Sequence, residues 1–119
     1  MKYCIASLLT FQSHNGKATV YYQGGVAGKC GHVHADSDKV VSVGQHWYNK
    51  YGKGICGHRV KIQNTGATTD NSVGGKGRVV YANVADLCTG CSEAHLNLSL
   101  GAWNALTNNH GPSVVGIHW

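Results

Sequence analysis

The sequence predicts an all-β domain, and three observations predict it. Glycine occurs 17 times in 119 residues and proline once. Val, Thr and Tyr, which suit a pleated, half-buried surface, are frequent. Apolar residues recur in short runs closed by glycine instead of in long helical stripes. The length allows one hydrophobic core and is too short for two, and no repeat or linker divides it.

Lys17 to Gln23 carries β-branched and aromatic residues and stops at Gly24-Gly25, so it reads as a strand ended by a glycine turn. The loop Gly28-Lys-Cys-Gly31 follows, then a short apolar run from Lys39 to Val43. His46 to Tyr51, bounded by Gly44 and Gly52, has the composition of a helical turn. His58 to Gln63 alternates strictly, with Val60 and Ile62 on one face and Arg59, Lys61 and Gln63 on the other.

The Gly, Thr, Ser and Asn of Thr65 to Gly77 predict a flexible connection. Arg78 to Asp86 completes a hairpin with it, carrying Val80, Ala82, Val84 and Asp86 on one side. From Asn97 to Leu106 the period changes: Leu100, Trp103 and Leu106 lie three apart and Ser99 is placed as an N-cap, which predicts a short helix. Gly111-Pro112 resets the chain, and Val115, Ile117 and Trp119 alternate along a closing strand.

Ten Lys and Arg face five carboxylates, for a formal charge of +5. Such a surface attracts polyanions: nucleic acid, anionic lipid or an acidic polysaccharide such as pectin. The basic residues are scattered and no nucleic-acid-reading motif accompanies them, so no nucleic acid or membrane partner is expected. The eight histidines would add positive charge in a mildly acidic wall.

Residues 1–13 contain an apolar stretch, Tyr3 to Phe11, with the length of a signal-peptide core, and are expected to be a secretion signal; the alternative is a first β-strand. Removing them takes Cys4 and leaves Cys30, Cys56, Cys88 and Cys91, an even number that fits an oxidised extracellular scaffold. A bond between Cys30 and Cys56 would constrain the unfolded chain by roughly 3 to 4 kcal/mol, and Cys88-Thr-Gly-Cys91 could close on itself. A redox centre would need that CxxC at the start of a helix in a βαβ unit. Zinc would need two further ligands, and His32, His34 and His95 match no common structural spacing. No metal or cofactor is expected.

Four segments, taken in order, resemble the double-psi β-barrel shared by expansins, loosenins, rare lipoprotein A, barwin-like proteins and family-45 endoglucanases. They are Gly16-Lys-Ala-Thr-Val-Tyr21, Gly28-Lys-Cys-Gly31, Cys56-Gly-His-Arg-Val-Lys-Ile62, and Val84-Ala-Asp-Leu-Cys-Thr-Gly-Cys91 leading into Leu96 to Trp103. The chain from residue 14 to 119 is most similar to the small, single-domain loosenin-like members. The resemblance implies a six-stranded barrel with one or two short helices and an open groove in which a polysaccharide lies. It implies Thr19, Tyr21, Asp86 and Asn97 as groove residues, and Cys30 with Cys56 and Cys88 with Cys91 as the disulfides.

Glycosidic hydrolysis ordinarily takes two carboxylates. In related endoglucanases the first strand supplies one, where this chain continues Tyr22-Gln23; the family's Asp-Leu-Ser acid is here Asn97-Leu98-Ser99, and an amide neither gives up a proton nor carries charge. Asp86 is the lone candidate acid, and rare lipoprotein A-like transglycosylases use an Asp in that motif. Binding asks less: aromatic faces beside convergent polar groups suffice, and Tyr21, Tyr22, Trp47, Tyr48 and Asp86 could supply them. Trp103 and Trp119 keep phase with apolar neighbours and are expected to pack. Asn97-Leu98-Ser99 is also an N-glycosylation sequon.

The expectation is therefore a secreted, monomeric, non-hydrolytic protein that binds cellulose, chitin, pectin or peptidoglycan. A secreted protein-binding module, such as a cysteine-protease inhibitor or a host-directed effector, and a lytic enzyme resting on Asp86 are the alternatives.

Overall fold

The computed structural model describes residues 14–119, so the expected signal segment at 1–13 lies outside the described residues. Six strands, β1 (Asn15–Val20), β2 (Val40–Gly44), β3 (Arg59–Ala67), β4 (Val79–Cys88), β5 (His95–Leu98) and β6 (Val115–His118), close into a barrel in the order β1-β5-β2-β4-β3-β6. The pairs β1/β5 and β2/β4 are parallel and the rest antiparallel. This is the all-β, six-stranded closure that the resemblance implies. Helix α1 (Gln45–Tyr51) ends at Gly52, whose φ of 61° is one a side chain resists. A 3-10 turn (Gly52–Ile55) leads from it to the Cys30–Cys56 disulfide.

Alternation fills the interior. Ala18, Leu96, Leu98, Val41, Val43, Val60, Ile62, Val80, Ala82, Val84, Val115 and Ile117 all point inward and are buried. Helix α2 (Leu100–Thr107) covers part of this core with Ala102, Trp103 and Leu106. Its N-cap is Ser99, whose Oγ accepts from the Ala102 N–H, and Asn108 closes it in the left-handed conformation at φ 57°.

Three expectations need correction. The stretch from Asn97 was expected to be helical, but His95–Leu98 forms β5 and the helix starts at Leu100. Four residues are too few for their period to declare a strand, and the three-residue spacing of Leu100, Trp103 and Leu106 belongs only to the helix that follows. The expected connection from Thr65 begins as strand, since β3 continues to Ala67, and the loop beyond it is anchored. The buried Asn64 side chain donates to Gly74 O (2.9 Å) and Leu106 O (3.0 Å) and accepts from the Gly66 N–H (2.8 Å). Finally, β1 ends at Val20, although the Tyr21 N–H still donates to Leu98 O at 3.0 Å.

Candidate functional site

Strand register builds the site. Thr19 on β1 pairs with Asn97 on β5, Asn97 with Ser42 on β2, and Ser42 with Asp86 on β4, a continuous row across four strands. The neighbouring row, Val20, Leu98, Val41 and Val84, points into the core, so the polar row lies on the outer face. Asp86 reaches that face through a bulge. Val41 pairs with Val84 but Ser42 pairs with Asp86, leaving Ala85 as the extra residue. The expectation that Asp86 shares a side with Val80, Ala82 and Val84 is corrected by this one-residue slip, which reverses the facing of everything after it.

Within the row a directed hydrogen-bond chain runs through a residue the sequence did not single out for the groove. Thr19 Oγ1 donates to Asn97 Oδ1 and lies 2.8 Å from His95 Nε2. With the hydroxyl proton committed to Asn97, His95 donates from Nε2, which selects its tautomer. Asn97 Nδ2 in turn donates to Cys88 Sγ at 3.2 Å. The nitrogen that glycosylation of the sequon would use is thus already engaged. The sequence offers His95 only as a histidine without zinc spacing, because it sits on β5, the strand that periodicity does not reveal.

Burial, and then the positive charge of Lys17, lower the His95 pKa below the usual histidine range. The unfolded chain therefore binds a proton at His95 at a higher pH than the folded one does. Between the two pKa values stability rises with pH, so this contribution is complete above the ordinary histidine value and is lost as pH falls through it. The fall in thermal midpoint between pH 7 and pH 5 is expected to be smaller in His95→Gln than in the parent, measured by circular dichroism at both pH values.

The Gly28-Lys29-Cys30-Gly31 loop closes over the Asp86 end. Asp86 Oδ1 accepts from the Lys29 N–H (2.7 Å) and the Leu87 N–H (2.8 Å). Gly28 permits that approach: a Cβ there would stand 2.6 Å from Gln23 Nε2 and 2.8 Å from both Ala85 O and Asp86 Cγ. Among the described residues Asp86 Oδ2 accepts no hydrogen bond, and the buried Tyr21 hydroxyl and Gln23 Nε2 have no partner. Burial, and then the negative charge of Asp86, push the Tyr21 phenol well above its ordinary pKa, so it stays a neutral donor. Buried polar groups are normally satisfied, so these two orphaned atoms stand out beside the row.

The structure thus brings together Thr19, Tyr21, Asp86 and Asn97, and adds His95, Ser42 and Gln23. Tyr22 is 54% exposed and available to a ring face. Tyr48 packs partly against the core, with Lys29 Nζ 5.7 Å from its ring centre. Trp47 does not join the exposed set: it is 4% exposed, its Nε1–H donates to Glu93 O at 2.7 Å, and its ring meets Trp119 at 5.7 Å. A sugar cannot stack on an indole enclosed in this way. Trp103 and Trp119 pack in the core, as expected. The second disulfide joins Cys88 to Cys91 and, with Cys30–Cys56, completes the pairing implied by the resemblance. Among the described residues no group of three or more metal-ligating side chains comes together.

No protein-family model matches the sequence. Among curated proteins the chain is similar to ripening-related protein 5 (30% identical, 88% of this chain and 42% of the relative) and ripening-related protein 7 (29%, 81% and 59%), both of rice, Oryza sativa subsp. japonica. The chain therefore spans about half the length of the curated relatives it matches. Among solved structures it is similar to a Streptomyces papain inhibitor, with TM-score 0.63 and 26% identity over 91% of this chain and 92% of that one. It is also similar to the expansin of Clavibacter michiganensis, with TM-score 0.66 and 29% identity over 90% of this chain and 48% of that one. An Asp-to-Asn mutant of the same expansin, in complex with cellohexaose, superposes with TM-score 0.59 at 29% identity, again over 90% and 48%. The closed six-stranded barrel, the two short helices and these similarities give the chain the double-psi β-barrel fold, and its sequence is similar to expansin-like and papain-inhibitor proteins of that fold.

Proposed function

We propose that the chain is a secreted, non-hydrolytic polysaccharide-binding module whose groove is the row Thr19, Asn97, Ser42 and Asp86, flanked by His95, Tyr21 and Gln23. The observation that carries the reading is the composition of that row: it holds one carboxylate, with an amide two strands away. Strands lie about 4.8 Å apart, so the backbones at positions 97 and 86 stand roughly 10 Å apart across β5, β2 and β4. Two carboxyl groups on such positions could flank a glycosidic bond with room for water, the inverting arrangement. Asn97 removes one of them, while its amide and the Asp86 Oδ2 remain able to bond sugar hydroxyls. The expansin relative, of which this chain covers 48%, forms a complex with cellohexaose as an Asp-to-Asn mutant, so a protein that contains a barrel of this kind binds a glucan after the loss of an acid. The two disulfides are consistent with an extracellular setting.

The test is retention on cellulose, chitin, pectin and peptidoglycan, with product analysis alongside. The parent should be retained on at least one polymer without releasing reducing ends. Asp86→Ala should weaken retention by roughly tenfold, the scale of losing a charge-assisted hydrogen bond. Retention on none of the four, or sustained product release that Asp86→Asn abolishes, would defeat the reading.

A second reading rests on a specific observation. The Streptomyces papain inhibitor matches this chain end to end, 91% against 92%, whereas the expansin match covers 48% of that chain. A cysteine-protease inhibitor would act through loops, retain its potency in Asp86→Ala, and titrate papain in a stoichiometric assay.

A further inference from the structure

The strongest feature outside the groove lies on the wall formed by β4, β3 and β6. Lys61 and Tyr81 are direct cross-strand partners, as are Arg59 and Asn83, and Gln63 with both Val79 and His118. All of these face outward, because Val60, Ile62, Val80 and Ala82 between them are buried. Within β4 Tyr81 is 46% exposed, and Val79, its first residue, is 42% exposed. The Arg59 guanidinium lies 4.8 Å from the Tyr81 ring centre. That distance lies within cation–π range.

The charge on this wall has one sign. No Asp or Glu occurs in residues 58–69, 71–85 or 110–119. Four of the five carboxylates have partners elsewhere: Asp38 lies beside His34, Glu93 beside His46, Asp70 accepts from Ser72 and Ser113, and Asp86 accepts from the loop in the groove. Among the described residues Arg59 and Lys61 form no ion pair. The aliphatic part of Lys76 lies alongside Gly66 at the end of β3 and adds a third cation to this side.

We infer that this wall is a second binding surface, independent of the groove, and that its ligand is an acidic polysaccharide of the polyuronate class. A uronate ring has an apolar C–H face that fits the exposed Tyr81 and Val79, and a planar carboxylate to which the Arg59 fork can donate two hydrogen bonds, with Lys61 two residues along β3 for the next charge. A neutral glucan offers only the first of these contacts. The inference does not rest on the groove reading, because the two surfaces share no side chain.

Affinity gel electrophoresis of the full chain in polygalacturonate tests it, with Arg59→Gln/Lys61→Gln compared against Lys50→Gln/Lys53→Gln. The second pair removes the same charge from α1 and the turn after it. The first double variant should lose affinity at least about tenfold and show a flatter salt dependence, while the second should change less than about twofold. Tyr81→Ala should weaken binding without altering the salt slope. Equal losses in the two double variants would overturn the inference, because net charge would then be sufficient. So would equal retention by fully methyl-esterified polygalacturonate, or a preference for phosphatidylserine vesicles over polygalacturonate.

Discussion

Trp103→Ala is expected to lower stability by about 3–5 kcal/mol, the range for truncating a fully buried aromatic whose surroundings cannot collapse into the space. Trp103 is 0% exposed, on the inner face of α2, and its Nε1–H donates to His110 O at 2.8 Å. Truncation removes the largest fully buried side chain of the core and leaves that carbonyl unpaired. For a domain of this size each kcal/mol shifts the midpoint by several degrees, so the thermal transition should fall by more than about 10 °C. Trp103→Phe keeps most of the volume and loses only the donor, and should recover more than half of the loss. A midpoint within a few degrees of the parent for Trp103→Ala would contradict the packing described here.

Asn64→Leu should be nearly as damaging, although it replaces a polar core residue with an apolar one of similar size. Asn64 is 1% exposed and in phase with Val60 and Ile62, so the hydrophobic rule alone would predict a gain. The hydrogen bonds decide otherwise. Its amide is the partner of Gly74 O, Leu106 O and the Gly66 N–H, and leucine would leave three backbone groups without that partner at once, Leu106 O among them in the buried end of α2. At about 1–3 kcal/mol for each such group, partly offset by apolar burial and local water entry, a net loss of about 3 kcal/mol follows. Because the same side chain ties the β3–β4 loop to the end of α2, amide exchange at Gly66 and Gly77 should accelerate as well. A urea midpoint unchanged from the parent would show that the loop is held by something else.

The elements that could be read in the chain are those whose signal is local. The alternation of Arg59 to Gln63 is legible because each residue of β3 meets the core or solvent according to its parity, and Val60 and Ile62 are indeed the buried ones. Ser99 was legible as an N-cap because its partner, the Ala102 N–H, is three residues away. β5 was not, since its four residues are held by β1 and β2, and nothing within His95–Leu98 distinguishes it from the helix that follows. Trp47 illustrates the same limit. An aromatic in a polar segment can face a ligand or the core, and its partners Trp119 and Glu93 lie 72 and 46 positions away.

By itself the sequence determined a glycine-rich β domain, its surplus of positive charge and the even set of four cysteines between residues 14 and 119. These depend on composition, parity and residue chemistry, which do not change with the path of the chain. Only the tertiary structure decided which residues share a face. Thr19 meets Asn97 across 78 positions, and Asp86 joins their row because Ala85 bulges out of register with β2. His95 entered the site for the same reason, by parallel pairing with β1. Closing a barrel chooses strand neighbours by the burial of all six strands together, and no segment of the chain carries that information alone.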